Sequence, residues 1–96
     1  MAKEEILSDE AILTALQKLP GWTRAGDRLE KAFEFANFRE AFAFMVRVAF
    51  EAEAMDHHPD WTNCYSDVTI RLSTHHAGNK ITDKDVALAA KIEGCA

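Results

Sequence analysis

The four histidines of the chain fall into two adjacent pairs, His57-His58 and His75-His76, in a sequence of 96 residues. An imidazole can be neutral or protonated near physiological pH, so histidines held close together can donate and accept protons within one reaction. If the fold brings the two pairs together, they form a site suited to general acid–base catalysis.

Two carboxylates are spaced so that they could orient these imidazoles. Glu53 precedes His57 by four residues and shares its helical face if a helix extends that far. A carboxylate there favours the protonated imidazole, as does the negative C-terminal end of a helix. Asp85 follows Thr82 by three residues and could close a capping box at a helix N-terminus. Its role could therefore be structural capping, catalysis or both.

Two other interpretations of the histidine cluster stay open at this point. His57 and His58 could simply cap the C-terminus of a helix in solvent. Alternatively, the imidazoles could bind zinc together with Glu53, Asp56 or Asp85, because zinc takes nitrogen and oxygen ligands. Adjacent histidines rarely point at one ion, however, and the sequence contains neither an HExxH nor a CxxC motif.

The elements that must position these residues follow from hydrophobic periodicity, caps and turn residues. Helices are predicted over 9–19, from an Asn37 cap to Asp56 or His57, and from Thr82 to Gly94. Two hairpins are predicted, over 22–24 with 29–35 and over 61–65 with 68–74. The order αββαββα predicts an α+β fold, with a four-stranded antiparallel sheet and the helices packed on one face.

The long central helix should bury one side of its surface. A row of apolar residues recurs along it at steps of three and four, and we expect this row to face the core: Phe38, Phe42, Met45, Ala49 and Ala52. Pro59 disfavours helical geometry at His58, which places the end of this helix beside the first histidine pair.

Length and composition limit the class of protein. The 96 residues, of which 48% are hydrophobic and 28% charged, fit one domain over 1–96. A net charge of −5 without a Lys/Arg cluster argues against direct binding of nucleic acid. The first five residues do not resemble a signal peptide and no apolar run reaches membrane-spanning length, so we expect a cytoplasmic protein without membrane contact.

The two cysteines, Cys64 and Cys95, have no CxxC spacing and are expected to be free thiols. Cys64 alternates with Tyr65 in a short predicted strand. This placement predicts a buried small side chain rather than an activated thiolate.

Taken together, the spacing of these residues resembles the signature of the pterin-4a-carbinolamine dehydratases. The resemblance lies in Glu53-Ala-Met-Asp-His-His-Pro59, in Tyr65, in Leu72-Ser-Thr-His75 and in Asp85 at the start of a Val-Ala-Leu-Ala helix. It extends upstream through the Phe38–Ala52 segment to Gly21-Trp22 and so covers nearly the whole chain.

The resemblance implies a small α+β subunit that forms homodimers or homotetramers and needs neither metal nor cofactor. The implied reaction is the dehydration of a tetrahydropterin carbinolamine, 4a-hydroxytetrahydropterin, to quinonoid dihydropterin. This reaction recycles the cofactor of aromatic amino-acid hydroxylases, which implies a functional link to such an enzyme. Some members of the family serve as dimerisation cofactors, so a non-enzymatic interaction module is the competing function.

The resemblance also implies roles for individual residues. His57 and His75 would form the acid/base pair, and His58 would bind substrate with a possible share in catalysis. Glu53 and Asp85 would orient the imidazoles, whereas Asp56, Ser73 and Thr74 would help to line the pterin pocket. The chain departs from the family pattern at Asn79-Lys80, which lengthens the loop beside the pocket, and at His76, which we expect to be solvated.

Overall fold

The computed structural model describes residues 5–96, so the first four residues, which contributed to the argument against a signal peptide, lie outside it. The elements follow the predicted order: α1 (Asp9–Leu16), β1 (Thr23–Ala25), β2 (Arg28–Glu34), α2 (Phe38–Met55), β3 (Asp60–Cys64), β4 (Asp67–Leu72), a 3-10 turn (His75–Ala77) and α3 (Asp83–Glu93). The first helix ends at Leu16 rather than at Leu19. Its C-terminal segment tightens into i→i−3 hydrogen bonds, including that from Leu19 to Leu16, before Pro20.

The four strands form one antiparallel sheet in the order β1-β2-β4-β3, which confirms the predicted fold class. The register places Leu29 opposite Leu72 and Phe33 opposite Val68, so one face of the sheet is apolar and buried. The other face is charged. There, Arg71 lies 3.4 Å from Glu30 across the β2–β4 pair.

Of the row of α2 predicted to face the core, only Ala52 is fully buried. Phe38 and Phe42 are about half exposed, at 48% and 54%, and Met45 is only partly buried against the core. The fully buried row consists of Ala41, Phe44, Val48 and Ala52. The helix carries two overlapping apolar rows, and the sheet selects the second because the Phe44 ring packs 4.8 Å from both Phe33 and Phe35.

The prediction for Cys64 is also wrong: this residue is exposed, whereas Cys95 is buried, and both are free thiols. The β3–β4 register pairs Cys64 with Asp67 on the polar face of the sheet, so its side chain points away from the core. Burial raises the pKa of the Cys95 thiol, and the nearby Glu51 carboxylate adds to this effect.

Within residues 5–96, no helix is long and apolar enough to cross a membrane.

Candidate functional site

The two histidine pairs meet because two neighbouring elements end at the same place. Helix α2 ends at Met55, and Asp56 then adopts the left-handed conformation (φ 52°, ψ 42°), which turns the chain sharply into His57 and His58. Strand β4 ends at Leu72 and leads into the 3-10 turn that carries His75 and His76. Between these two ends lies a small polar cavity of about 170 Å³, lined by Asp56, His57, His58, Ser73, Thr74, His75, His76 and Lys84.

Six of the eight predicted site residues therefore line one cavity, and the other two, Asp85 and Glu53, contact imidazoles that line it. His76 is exposed, as expected, yet it also borders the cavity, with its ring centroid 5.9 Å from that of His75. Lys84 was not predicted. Adjacent residues of a helix do not share a face, so its position beside Asp85 in the first turn of α3 did not indicate that it borders the cavity.

A buried pair between His57 and Asp85 is the shortest contact of a site imidazole with a carboxylate. Nε2 of His57 lies 2.6 Å from Oδ1 of Asp85, and the two residues are 7% and 0% exposed. The other carboxylate oxygen accepts hydrogen bonds from the Thr82 backbone N–H and the Thr74 hydroxyl, both at 2.9 Å. Asp85 thus closes the predicted capping box of α3 and contacts His57 at the same time.

This arrangement fixes which nitrogen of His57 faces the cavity. A carboxylate accepts hydrogen bonds, so Nε2 of His57 carries the proton that is donated to Asp85. Nδ1 is then the nitrogen that remains to exchange a proton with a molecule in the cavity. An imidazole held in one tautomer by a buried carboxylate is a frequent arrangement in acid–base catalysis.

Glu53 orients His58 rather than His57. Its Oε1 lies 2.8 Å from Nε2 of His58, and both side chains are largely exposed. The expected four-residue spacing to His57 fails because the left-handed Asp56 ends the helical geometry one residue earlier. An exposed pair of this kind contributes little stability, so its effect is mainly on the orientation of the His58 ring.

His75 has a partner in the loop that follows it. Its Nδ1 donates to Oδ1 of Asn79 at 3.2 Å, which leaves Nε2 available toward the cavity. The loop is compact because backbone hydrogen bonds join Thr74 to both Lys80 (2.8 Å) and Asn79 (3.0 Å). The Asn79 side chain therefore orients one of the site histidines.

A surface ion pair fastens this loop to the first hairpin. Nζ of Lys80 lies 2.9 Å from Oδ2 of Asp27, and the hydrogen bond from Lys80 lowers the pKa of the Asp27 carboxyl below its usual value of 3.8. Because the folded state favours the ionised carboxylate, the pair contributes its stability above the unfolded-state pKa and loses it as the pH falls through the folded-state pKa.

Asp27→Asn is therefore expected to lower the stability of the protein slightly near neutral pH and to have no effect in strong acid. Urea unfolding of the two proteins at about pH 7 and at about pH 2 measures this difference. Asp67→Asn, a change at the first residue of β4 and far from Lys80, is the control. A destabilisation by Asp27→Asn that stays the same at both pH values would contradict the role given to the ion pair.

The three expected catalytic imidazoles thus share one arrangement. In each, one ring nitrogen is hydrogen-bonded to a side-chain oxygen of the protein, provided by Asp85, Glu53 or Asn79. In the described part of the chain, no group of three or more His, Cys, Asp and Glu side chains has the geometry of a metal site. The arrangement is suited to moving protons on a small polar molecule.

Comparison with known proteins assigns the chain to a family. The family model described as pterin 4 alpha carbinolamine dehydratase matches residues 5–95. The chain belongs to this family. A relative from Opitutus terrae, provisionally named a pterin-4-alpha-carbinolamine dehydratase, is 54% identical over 88 residues, which cover 92% of this chain and 91% of that protein. A relative from Afipia carboxidovorans with the same provisional name is 54% identical over 90 residues, covering 92% and 89%.

Solved structures of the pterin dehydratase family agree with this fold. A transcriptional coactivator/pterin dehydratase from Brucella melitensis superposes with a TM-score of 0.91 at 35% identity, over 96% of this chain and 99% of that one. A pterin dehydratase-like protein identified as a RuBisCO assembly factor in the alpha-carboxysome superposes with a TM-score of 0.67 at 25% identity, over 79% and 89%. The fold of the pterin dehydratases is therefore found in proteins to which other roles are ascribed.

Proposed function

We propose that the protein is a dehydratase that converts 4a-hydroxytetrahydropterin to quinonoid dihydropterin and water. The observation that carries the proposal is the buried His57–Asp85 pair, at 2.6 Å, on the wall of a cavity that His58 and His75 also line. The capping box of α3 accounts for the Asp85 carboxylate, but it does not account for the imidazole of His57 that is buried against it. In this proposal the product re-enters the cofactor cycle of an aromatic amino-acid hydroxylase.

The reaction requires two proton transfers. The hydroxyl on C4a receives a proton and leaves as water, while the proton on N5 passes to a base and the N5 electron pair forms the N5=C4a bond. One protonated and one neutral imidazole supply both functions, and they return to their starting states through solvent. We assign this pair to His57, through Nδ1, and to His75, through Nε2.

Three further cavity residues are assigned to substrate binding: His58, Asp56 and Ser73. His58 contacts the pterin and contributes to catalysis as a secondary proton carrier, with Glu53 holding its ring. Asp56 and Ser73 line the cavity beside the histidines, where a carboxylate and a hydroxyl can accept and donate hydrogen bonds to the heteroatoms of a pterin ring.

The test is an assay with 4a-hydroxytetrahydropterin, whose disappearance is followed by ultraviolet absorbance. We expect the purified protein to accelerate the loss of this compound, both with and without a metal chelator. A rate equal to that of the spontaneous reaction would overturn the proposal. Acceleration that the chelator abolishes would also overturn it, in favour of the metal-dependent interpretation.

We also propose that the protein is a homo-oligomer that associates through the outer face of α2. A row of four apolar side chains spaced four residues apart is exposed along this helix: Phe38, Phe42, Val46 and Phe50. Exposing a continuous apolar row to water is unfavourable, so such a row on the surface of a domain indicates an interface. A second copy of the same helix is a suitable partner, since the row is uncharged and a twofold axis places it against itself.

Phe42→Glu is therefore expected to convert the oligomer into a monomer with an intact fold. The introduced charge would lie in the centre of the apolar row and would be costly to bury. Sedimentation velocity measures the change in mass. Leu13→Glu, at a position 62% exposed on α1, is the matched control and should leave the mass unchanged. An unchanged oligomer in Phe42→Glu, or a monomeric wild type, would exclude this interface.

The interaction module is the second candidate function, and the same exposed row favours it, because other apolar helices could also bind there. Two of the solved relatives carry coactivator or assembly roles in their descriptions. The two candidates differ in what they require of the site. An interaction module would tolerate loss of the His57–Asp85 pair, whereas a dehydratase would not.

A further inference from the structure

The polar network behind His57 extends beyond Asp85 to two buried hydroxyls. Thr74 is 1% exposed and Thr82 is 0% exposed. The Thr74 hydroxyl donates to Oδ2 of Asp85 at 2.9 Å and lies 2.6 Å from the Thr82 hydroxyl. Because a hydroxyl has one proton, and that of Thr74 is given to Asp85, the Thr82 hydroxyl must be the donor to Thr74.

We propose that Thr74 is a positioning residue, which holds Asp85 and thereby His57, and that its hydroxyl does not bind the substrate. This inference rests on the proposed dehydratase function and changes the role expected for Thr74 from the sequence. Its hydroxyl proton is already donated, and its side chain is closed off from the cavity. Thr74 borders the cavity but is only 1% exposed, so little of it is open to a bound molecule.

The hydroxyl matters because it fixes the rotation of a buried carboxylate. Oδ2 of Asp85 is held from two sides, by the Thr82 backbone N–H and by the Thr74 hydroxyl, and this leaves Oδ1 aimed at Nε2 of His57. Without the hydroxyl, one donor remains on Oδ2. The carboxylate is then less restrained against rotation about its Cβ–Cγ bond, and the orientation of the His57 ring is less well fixed.

Thr74 also connects the two halves of the proposed acid/base pair. Its side chain holds the partner of His57, and its backbone N–H and C=O hold the loop that carries His75, through Lys80 and Asn79. Removing the hydroxyl alone removes the contact with Asp85 and leaves the backbone hydrogen bonds to the loop intact. This separation makes a side-chain substitution at Thr74 informative.

The decisive variant is Thr74→Val, which keeps the shape and the backbone and removes the hydroxyl. We expect kcat to fall about tenfold with KM within about twofold of wild type, because transition-state geometry is lost rather than substrate affinity. Thr74→Ser should restore kcat. Thr69→Val, the same change on the polar face of β4, is the matched control. A rise in KM at constant kcat would instead identify Thr74 as a substrate ligand and overturn the inference.

A second measurement needs no substrate. In protein with ¹⁵N-labelled histidine, we expect a single Nε2-protonated tautomer for His57 in the wild type and in Thr74→Ser, and altered His57 ring signals in Thr74→Val. If Thr74→Val fails to fold, Thr74→Ala removes the same donor with less bulk. Unchanged His57 signals in the folded variant would overturn the inference. A wild type with the expected tautomer but no dehydratase activity would instead count against the proposed function alone.

Discussion

Asp85→Asn should lower the turnover of 4a-hydroxytetrahydropterin by about a hundredfold, the largest effect that we expect from a single isosteric change in this site. The two donors on Oδ2, from Thr74 and the Thr82 backbone, require an acceptor at that position. The amide oxygen of asparagine must therefore take the place of Oδ2, and the amide NH₂ group must face His57. Nε2 of His57 then has to accept a hydrogen bond, so the ring proton moves to Nδ1, the nitrogen that faces the cavity.

In this tautomer, Nδ1 of His57 already carries a proton and cannot accept another, although no group has been removed from the site. We therefore expect the loss in kcat while KM changes little, and histidine NMR should show the Nδ1-protonated form of His57. Asp83→Asn, two residues earlier and exposed in the first turn of α3, is the matched control and should retain wild-type turnover. Chemical unfolding of both variants separates this effect from loss of the capping box. Wild-type kcat in folded Asp85→Asn would remove Asp85 from the mechanism.

The order of elements could be predicted because each one carries its own local signals. Asn37 and Thr82 cap their helices as expected, with side-chain oxygens that accept from Glu40 and Lys84. The alternation in β4 correctly identifies its buried face. These signals depend only on residues close together in the sequence. They therefore hold regardless of how the rest of the chain packs.

The side of α2 that faces the core could not be predicted in the same way. Both apolar rows of the helix satisfy helical periodicity, and only the docking of the sheet decides between them. In the folded chain, Phe44 fits between Phe33 and Phe35, while Phe42 remains about half exposed. A helix with an apolar surface wider than one core face indicates a second contact, and the proposed oligomer uses that surface.

Some features of the candidate site could likewise be predicted from the sequence, whereas others could not. That the histidines follow the ends of two elements is visible in the sequence, and the fold places them around one cavity. Which carboxylate contacts which imidazole was not visible, because the left-handed Asp56 shifts the partner of Glu53 from His57 to His58. The hydroxyl contact between Thr74 and Thr82 depends on how the intervening loop closes, and no spacing rule anticipates it.

The second large effect is expected from removing the proposed acid/base pair itself. His57→Ala and His75→Ala should each lower kcat by at least about tenfold, because each removes one of the two proton transfers. The two imidazoles reach the cavity from different elements, so neither can occupy the place of the other. His76→Ala, which removes a histidine without a proposed role in proton transfer, should stay within about threefold of wild type.

The double variant His57→Ala/His75→Ala tests whether the two imidazoles depend on each other. If the two proton transfers are concerted, the loss in the double variant will be well below the product of the two single losses, because the first removal already abolishes the step that the second serves. If each imidazole contributes independently to the same transition state, the two losses will multiply. Stopped-flow assays of the four proteins measure this coupling, and circular dichroism confirms that each remains folded. Wild-type rates in both single variants would show that the proton transfers are carried by other groups in the cavity, of which His58 is the first to test.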